Sequence, residues 1–200
     1  MDINSMIAGK IAKKLVGNAE QDSIVKISYL FEMLLSETEK IILISILFTL
    51  MGYGSNIVAV FFVIMFVRRY IGGNHCNSYI ACLICSVTIC GMAVLTGVYF
   101  ELSSFFRICI VIVAIAINNL LAPVKMANRP VLRWDDVKKI KRKGNIGILL
   151  VVIVGRVVSD TIGNTLFTTL LLLDMDCLVA GMINGFYGTA RNESEEPDIE

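Results

Sequence analysis

The residues best suited to chemistry are a histidine and a cysteine, His75 and Cys82. His75 is the only histidine in the 200 residues, and Cys82 follows it by seven positions. Imidazole titrates near neutral pH and can accept a thiol proton, and the thiolate formed attacks carbonyl carbon. The pair therefore predicts a cysteine nucleophile with a histidine base.

The spacing imposes a geometric condition. On one straight helix, residues seven apart share a face but lie ~10.5 Å apart along the axis, too far for a hydrogen bond. Gly72 and Gly73 precede the histidine. We therefore expect the two glycines to form a bend or loop that brings His75 back toward Cys82.

Two alternatives stay open for the same residues. His75 could be an interfacial side chain and Cys82 a packing residue. A metal could use His75, Cys76, Cys82 and Cys85 as N and S donors, but there is no second CxxC and no second histidine. A closed zinc site needs more donors of that kind. We expect no metal and no cofactor.

Composition places this chemistry in a membrane. Charged residues are 18% of the chain, hydrophobic residues are 56%, and the mean hydropathy is +0.74. An ordinary soluble domain is about 25% charged. The formal charge of +1 gives no reason to expect a nucleic-acid partner. The length predicts one domain, residues 1–190, followed by an acidic, disordered tail over 191–200.

The predicted fold is all-α, a polytopic membrane helical bundle of about six transmembrane segments in three hairpins. Amphipathic helices within residues 1–40 precede it, one of them over about 24–35. Apolar runs mark the segments. They cover residues 41–67, 79–100, 105–121, 146–162 and 166–186.

The first run, 41–67, is too long for one upright helix. Its 27 residues would span ~40 Å, against ~30 Å for the hydrocarbon core. It is either one tilted helix or two short crossings that turn at Gly52–Asn56. Basic residues in loop 124–145 and at Arg68 and Arg69 predict that these parts and both termini are cytoplasmic. An even number of crossings, and hence the hairpin, follows.

Residues 68–75, Arg-Arg-Tyr-Ile-Gly-Gly-Asn-His, followed by Cys82, resemble the core motif of the accessory gene regulator protein B family. Weaker similarities are the patch Tyr29-Leu30-Phe31-Glu32 and the step Ala122-Pro123-Val124. The family comprises membrane-embedded bacterial cysteine peptidases of quorum sensing. The resemblance implies a catalytic dyad of His75 and Cys82, supported by Arg68 and Gly73. Glu32 is a further candidate, as a third member that orients His75.

The resemblance also implies the reaction and its partners. The substrate is a short pro-peptide with an acidic tail (AgrD-like), whose tail is removed through a thioester acyl-enzyme. The product is a cyclic peptide, a thiolactone or a lactone. A homodimer, membrane lipids as neighbours, the bacterial cell membrane as location and a cytoplasmic active site are implied with it.

Charged residues outside the motif suggest further sites. The basic loop could bind the acidic peptide tail or anionic lipid. Arg156 and Asp160, one helical turn apart, could pair or line a substrate cavity. Asp174 and Asp176 lie on different faces of the last segment or mark an outward loop. The candidate tail-binding residues are Lys125, Arg129, Arg133, Lys138 and Lys139.

Two functions of other classes remain as rivals to the peptidase. A small peptide transporter or exporter without proteolytic activity would use the intramembrane charges to line a pathway. A membrane scaffold would dock a partner through the basic loop and would be indifferent to blocked thiols.

Overall fold

The computed structural model describes residues 21–73, 79–124 and 134–186, which divide into two compact units after Gly52. Their regular structure is helical, apart from one antiparallel bridge between Val124 and Phe186. The predicted all-α class is confirmed for these residues. The predictions for residues 1–20 and for the acidic tail lie outside the described residues.

The first unit contains one long helix, α1 (Gln21–Leu50). The predicted end near residue 35 is wrong, because no glycine or proline interrupts the helix before Gly52. Lys40 pairs with Glu37 at 2.8 Å, one turn away on the same helix. Gly52 has a φ of +87°, a left-handed conformation that ends the helix. The apolar run 41–67 is therefore divided there, as the predicted turn requires.

The described part of the second unit contains five helices, and two of them match the predicted segments closely. The helices predicted over 79–100 and 105–121 agree with the structure to within one residue at each end. The helix α2 changes to a π-helical turn over Ile64–Arg68. The five helices are α2 (Gly54–Ile71), α3 (Tyr79–Tyr99), α4 (Ser104–Leu120), α5 (Trp134–Val157) and α6 (Asp160–Asn184).

The predicted helix over 146–162 is wrong at both ends. The chain leaves helical structure after Val157 and starts α6 at Asp160, with the extended residue Ser159 before it. At the other end, α5 already begins at Trp134. About half of the predicted basic loop is therefore the first three turns of a helix. The apolar run showed only the part of α5 that lacks charges.

Among the residues that the structure describes, three helices are long and apolar enough to cross a membrane: Gly54–Ile71, Tyr79–Tyr99 and Asp160–Ile183. The 17-residue α4 is apolar but shorter. Large apolar side chains are exposed on these helices, among them Val58, Ile84 and Ile112, which expose 67%, 61% and 61% of their full area. A soluble surface rarely carries so many exposed apolar side chains, whereas a lipid-facing surface does. The chain is a membrane protein, with three crossings supported by length and composition.

Helix α6 is the most enclosed of these spans. Leu166, Leu170 and Leu173 are almost fully buried on it. It packs closely along α3, where a Cβ on Gly97 would collide with the backbone of Thr165. One turn further on, the Thr168 hydroxyl donates to the carbonyl of Ala93 at 3.1 Å. Small residues and interhelical hydrogen bonds of this kind hold helices together in lipid, where apolar burial contributes little.

The bundle of the second unit has two chemically different ends. At one end the hydroxyls of Tyr53 and Tyr99 are 3.1 Å apart, so α2 starts where α3 finishes. Arg107, near the start of α4, lies beside Asp160, the first residue of α6. We name this the Arg107 end. The opposite end, where α2, α4 and α6 finish and α3 and α5 start, is named the Cys82 end.

Candidate functional site

Cys82 lies in the first turn of α3, which places it at the Cys82 end of the bundle. Its side chain is half-buried and it forms no disulfide. Cys85, one turn further along the same helix, is exposed and also forms no disulfide. Cys82 therefore places a thiol in the first turn of a helix that is long and apolar enough to cross a membrane.

The candidate base, His75, and its neighbour Cys76 lie outside the described residues, so the predicted His75–Cys82 contact stays a prediction. Among the residues that are described, no three His, Cys, Asp or Glu side chains form a cluster able to hold a metal ion. The alternative metal site needs His75 and Cys76 as donors, so this observation does not test it.

The bend predicted before His75 is present. Helix α2 ends at Ile71, and Gly72 has a φ of +90° and a ψ of −175°. A side chain there would be strained, and its Cβ would lie 3.3 Å from the Cβ of Val124. The N–H of Gly72 still donates to the Arg68 carbonyl at 2.9 Å, which closes the last helical turn. The chain therefore leaves the helix axis two residues before Asn74.

The exit of α2 is held by contacts from two other helices. The Ile71 carbonyl accepts a hydrogen bond from the backbone N–H of Val124, which follows α4, at 3.3 Å. It also accepts one from the thiol of Cys177 on α6, at 3.8 Å. Val124 in turn forms the bridge with Phe186, after α6. The segment that leads to His75 thus starts from a fixed position.

Arg68 and Gly73, the two supporting residues of the motif, meet a third residue, Asp176. The Arg68 Nη2 lies 3.4 Å from the Asp176 Oδ2, and the side chains are 25% and 11% exposed. A Cβ on Gly73 would collide with that carboxylate and would approach the Arg68 Nε to 3.1 Å. A side chain at position 73 would therefore force this ion pair to shift. The arrangement gives a physical reason why an arginine and a glycine occur together in the motif.

Asp176 is the neighbour of Arg68 and Gly73 that the sequence reasoning did not identify. The alternative that Asp174 and Asp176 mark an outward loop is wrong, because both lie inside α6. Asp174 is only 1% exposed, and neither of its carboxylate oxygens has a hydrogen-bond partner in the described part of the chain. An ionisable residue within a membrane helix is expected to have a function. This general expectation was the signal in the sequence that could have identified Asp176.

The predicted pairing of Arg156 with Asp160 is wrong. The two residues lie on different helices, α5 and α6, on either side of the break after Val157. Asp160 instead pairs with Arg107, whose Nη2 lies 3.3 Å from the Asp160 Oδ1 and 2.8 Å from the Asn164 Oδ1. These charges belong to the Arg107 end, away from Cys82.

The basic residues at the start of α5 lie at the Cys82 end. Asn118, fully buried near the end of α4, donates to the Lys141 carbonyl and to the Asn145 Oδ1, both at 2.8 Å. A Cβ on Gly147 would collide with the carbonyl of Phe66 on α2. These contacts fix α5 against α4 and α2, with its basic first turns beyond them. Burial lowers the pKa of Lys141, whose ammonium donates to the Asn119 carbonyl at 2.7 Å.

Two of the five candidate tail-binding residues are described, and both are exposed. They are Lys138 and Lys139, and the Lys139 Nζ is 3.5 Å from the Asp136 Oδ1, three residues earlier on α5. The other three, Lys125, Arg129 and Arg133, lie outside the described residues. Glu32 lies on α1, in the other compact unit, and its side chain is outside the described residues as well. Its predicted role stays a prediction.

Comparison with known proteins identifies the family. The family model described as Accessory gene regulator B matches residues 5–180. An AgrB-like protein of Clostridium beijerinckii is 32% identical over 116 residues, which are 58% of this chain and 58% of that protein. No solved structure matches the chain significantly. The family match spans most of the chain, including the α2–α3 motif and all the described helices except the last turn of α6, so this protein belongs to the accessory gene regulator B family, whose role is in quorum sensing.

Proposed function

We propose that this protein is a membrane cysteine endopeptidase that processes a quorum-sensing pro-peptide, with Cys82 as nucleophile and His75 as acid and base. The observation that carries the proposal is the position of Cys82. Within a chain that belongs to this family, its thiol is at the start of a membrane helix, at the same end as the fixed Arg68–Gly73 segment.

The link between these elements supports the pairing of His75 with Cys82. Only residues 74–78 join Gly73 to Tyr79, so the end of α2 and the start of α3 must be neighbours in space. The bend at Gly72 also frees the segment from the helical spacing that would keep residues seven apart from meeting. Arg68 and Gly73 act as positioning residues, because with Asp176 they fix the point from which this link departs.

The proposed reaction begins when His75 takes the proton of the Cys82 thiol. The thiolate attacks the carbonyl carbon that joins the signal portion of the peptide to its tail. The C–N bond breaks, His75 returns the proton to the departing amine, and the signal portion remains on Cys82 as a thioester. A thiol or hydroxyl within the peptide then gives its proton to His75 and attacks the thioester, and the C–S bond to Cys82 breaks, which closes the ring and releases the Cys82 thiolate.

The substrate is a short AgrD-like pro-peptide with an acidic tail. The exposed ammonium groups of Lys138 and Lys139, at the same end of the bundle as Cys82, favour binding of that tail by charge. Ring closure competes with hydrolysis of the thioester, so a site at the lipid boundary, where water is scarce, favours the cyclic product. The positive-inside rule orients this end toward the cytoplasm.

In this proposal the protein is a homodimer in the bacterial cell membrane, and each chain crosses the membrane six times. The three crossings beyond the long apolar helices are the apolar half of α1, the 17-residue α4 and the apolar part of α5. Each of these is shorter or more polar than the helices that are long and apolar enough to cross a membrane by themselves. Contacts such as that of Asn118 with α5 supply the polar partners that shorter membrane helices need.

The test is cleavage of the pro-peptide by purified protein in detergent, followed by mass spectrometry. Cys82→Ala and His75→Ala should each abolish cleavage while the protein still enters the membrane. Cys85→Ala is the matched control, since it removes a thiol one turn away on the same helix. Full-rate cleavage by Cys82→Ser or Cys82→Ala contradicts the proposal.

One observation favours a second candidate, a peptide transporter. Asp174 is buried in a membrane helix without a hydrogen-bond partner among the described residues, which is typical of residues that line a transport pathway. A transporter would move the peptide between compartments and leave its mass unchanged. Cleavage in detergent, where there is no second compartment, distinguishes the peptidase from it.

A further inference from the structure

A cavity of about 130 Å³ opens at the Arg107 end, between α4, α5 and α6. It lies at the opposite end of the bundle from Cys82, and the proposed peptidase chemistry uses none of its residues. Two guanidinium groups, those of Arg107 and Arg156, line it, and the rest of its wall is mainly apolar.

The two arginines leave positive charge available in the cavity. The Arg107 Nη2 is occupied by Asn164 and Asp160, but the buried Arg107 Nε has no hydrogen-bond partner in the described structure. Arg156 is exposed and forms no ion pair with any described residue. Asp160, the carboxylate that pairs with Arg107, is 93% exposed and is therefore screened by solvent. An anion would satisfy both guanidinium groups.

The shape of the cavity indicates which kind of molecule bears the anionic group. Ser104, the first residue of α4, lies at its polar edge, and Arg156 lies in the last turn of α5. Ile112, also in its wall, lies ~12 Å further along α4, a rise sufficient to carry the wall from a membrane surface into the hydrocarbon core. Ile112 is 61% exposed on the outer surface of the bundle, so lipid reaches the wall directly.

We propose that this cavity binds an anionic phospholipid. Its phosphate lies between Arg107 and Arg156, and one acyl chain follows the apolar wall past Val152 and Ile112. Arg107 is held in place for this role by Asn164 and by the ring of Phe167, whose centroid lies 5.8 Å from the Arg107 Cζ. A free phosphate would use the guanidinium groups but leave the apolar wall empty.

The test is native mass spectrometry of the full chain in an uncharged detergent, titrated with dioleoylphosphatidylglycerol or dioleoylphosphatidylcholine. We expect one tightly bound phosphatidylglycerol and no tightly bound phosphatidylcholine. Arg156→Gln should weaken the bound lipid roughly tenfold, the loss of one charge-assisted contact. Arg142→Gln is the matched control, because it removes the same charge from an exposed position at the other end of α5, and it should retain the lipid.

Two further experiments distinguish a lipid from a free phosphate as the source of the anion, and they provide a second variant in case Arg156→Gln misfolds. Inorganic phosphate and glycerol phosphate should not displace the lipid, and Val152→Phe, which fills the cavity without changing its charge, should also weaken binding. Equal binding of both lipids, equal losses in Arg156→Gln and Arg142→Gln, or displacement by inorganic phosphate would each overturn the proposal.

Discussion

Gly73→Ala is the most direct perturbation of the proposed positioning of the link to His75 by Arg68, Gly73 and Asp176. The added methyl group would collide with the Asp176 carboxylate and come within 3.1 Å of the Arg68 Nε. The carboxylate belongs to a short side chain, 11% exposed, so it cannot move far without leaving Arg68. Loss of one charge-assisted contact costs about 2 kcal/mol. At this chain length that lowers Tm by about 4–8 °C.

The effect on peptide cleavage should be larger than the effect on stability. Displacement of the α2 exit by about 1 Å shifts the link that carries His75, and misplacement of that size can reduce catalysis on the order of 100-fold. We expect kcat to fall and KM to change little, because the basic residues of α5 are untouched. The assay is steady-state cleavage of the pro-peptide in detergent, with thermal unfolding measured in parallel.

A double-mutant cycle with Asp176→Ala shows whether the collision is the cause. Once the carboxylate is absent, Gly73→Ala has no ion pair to disrupt and Arg68 is free to move aside, so the second substitution should add little to the loss caused by the first. Additive losses in Tm and kcat would mean that Gly73 and Asp176 act independently, and the proposed positioning would be refuted. Asp176→Asn keeps the shape but removes the charge, and it isolates the contribution of the ion pair.

Three further predictions concern the substrate, the packing and the buried carboxylate. Replacing Lys138 and Lys139 by Gln should raise KM several-fold at low salt and leave kcat unchanged, whereas Arg replacements should preserve both. Gly97→Ala should lower Tm by several degrees in a detergent melt, because its Cβ would meet the backbone of Thr165, which no rotamer change relieves. Asp174→Leu should raise Tm, since it removes a buried carboxylate that has no hydrogen-bond partner among the described residues; a lower Tm would show that the carboxylate is satisfied in the folded protein.

The helices that the sequence predicted best are those with an uninterrupted apolar run between polar ends. For α3 and α4 the run and the helix coincide, because the lipid-facing part is the whole element. The turn at Gly52 was also predictable, since a run too long for the bilayer contained a cluster of turn-forming residues. The bend at Gly72 was predictable from chemistry, because residues seven apart on one straight helix cannot form a hydrogen bond, and the two glycines before His75 allow the chain to turn.

The parts that the sequence did not predict depend on residues that are distant along the chain. The first turns of α5 carry so many charges that they read as a loop, although Asp135 and Asp136 are well placed at a helix N-terminus. Asp160 lies four residues after Arg156, but a helix break separates the two residues, and Asp160 pairs with Arg107 instead of Arg156. The contact of Arg68 with Asp176 joins α2 to α6, and no local pattern identifies such a pair.

Capture of the acyl-enzyme tests the central claim most directly. Purified protein is mixed with its pro-peptide, quenched in acid to preserve the thioester, and digested for peptide mapping by mass spectrometry. The proposed mechanism predicts that the signal portion of the peptide, without its tail, is attached to Cys82 in the wild type and in Cys85→Ala, and is absent in Cys82→Ala. Cleavage that proceeds with no adduct on Cys82, or an adduct on another cysteine that survives in Cys82→Ala, would contradict it.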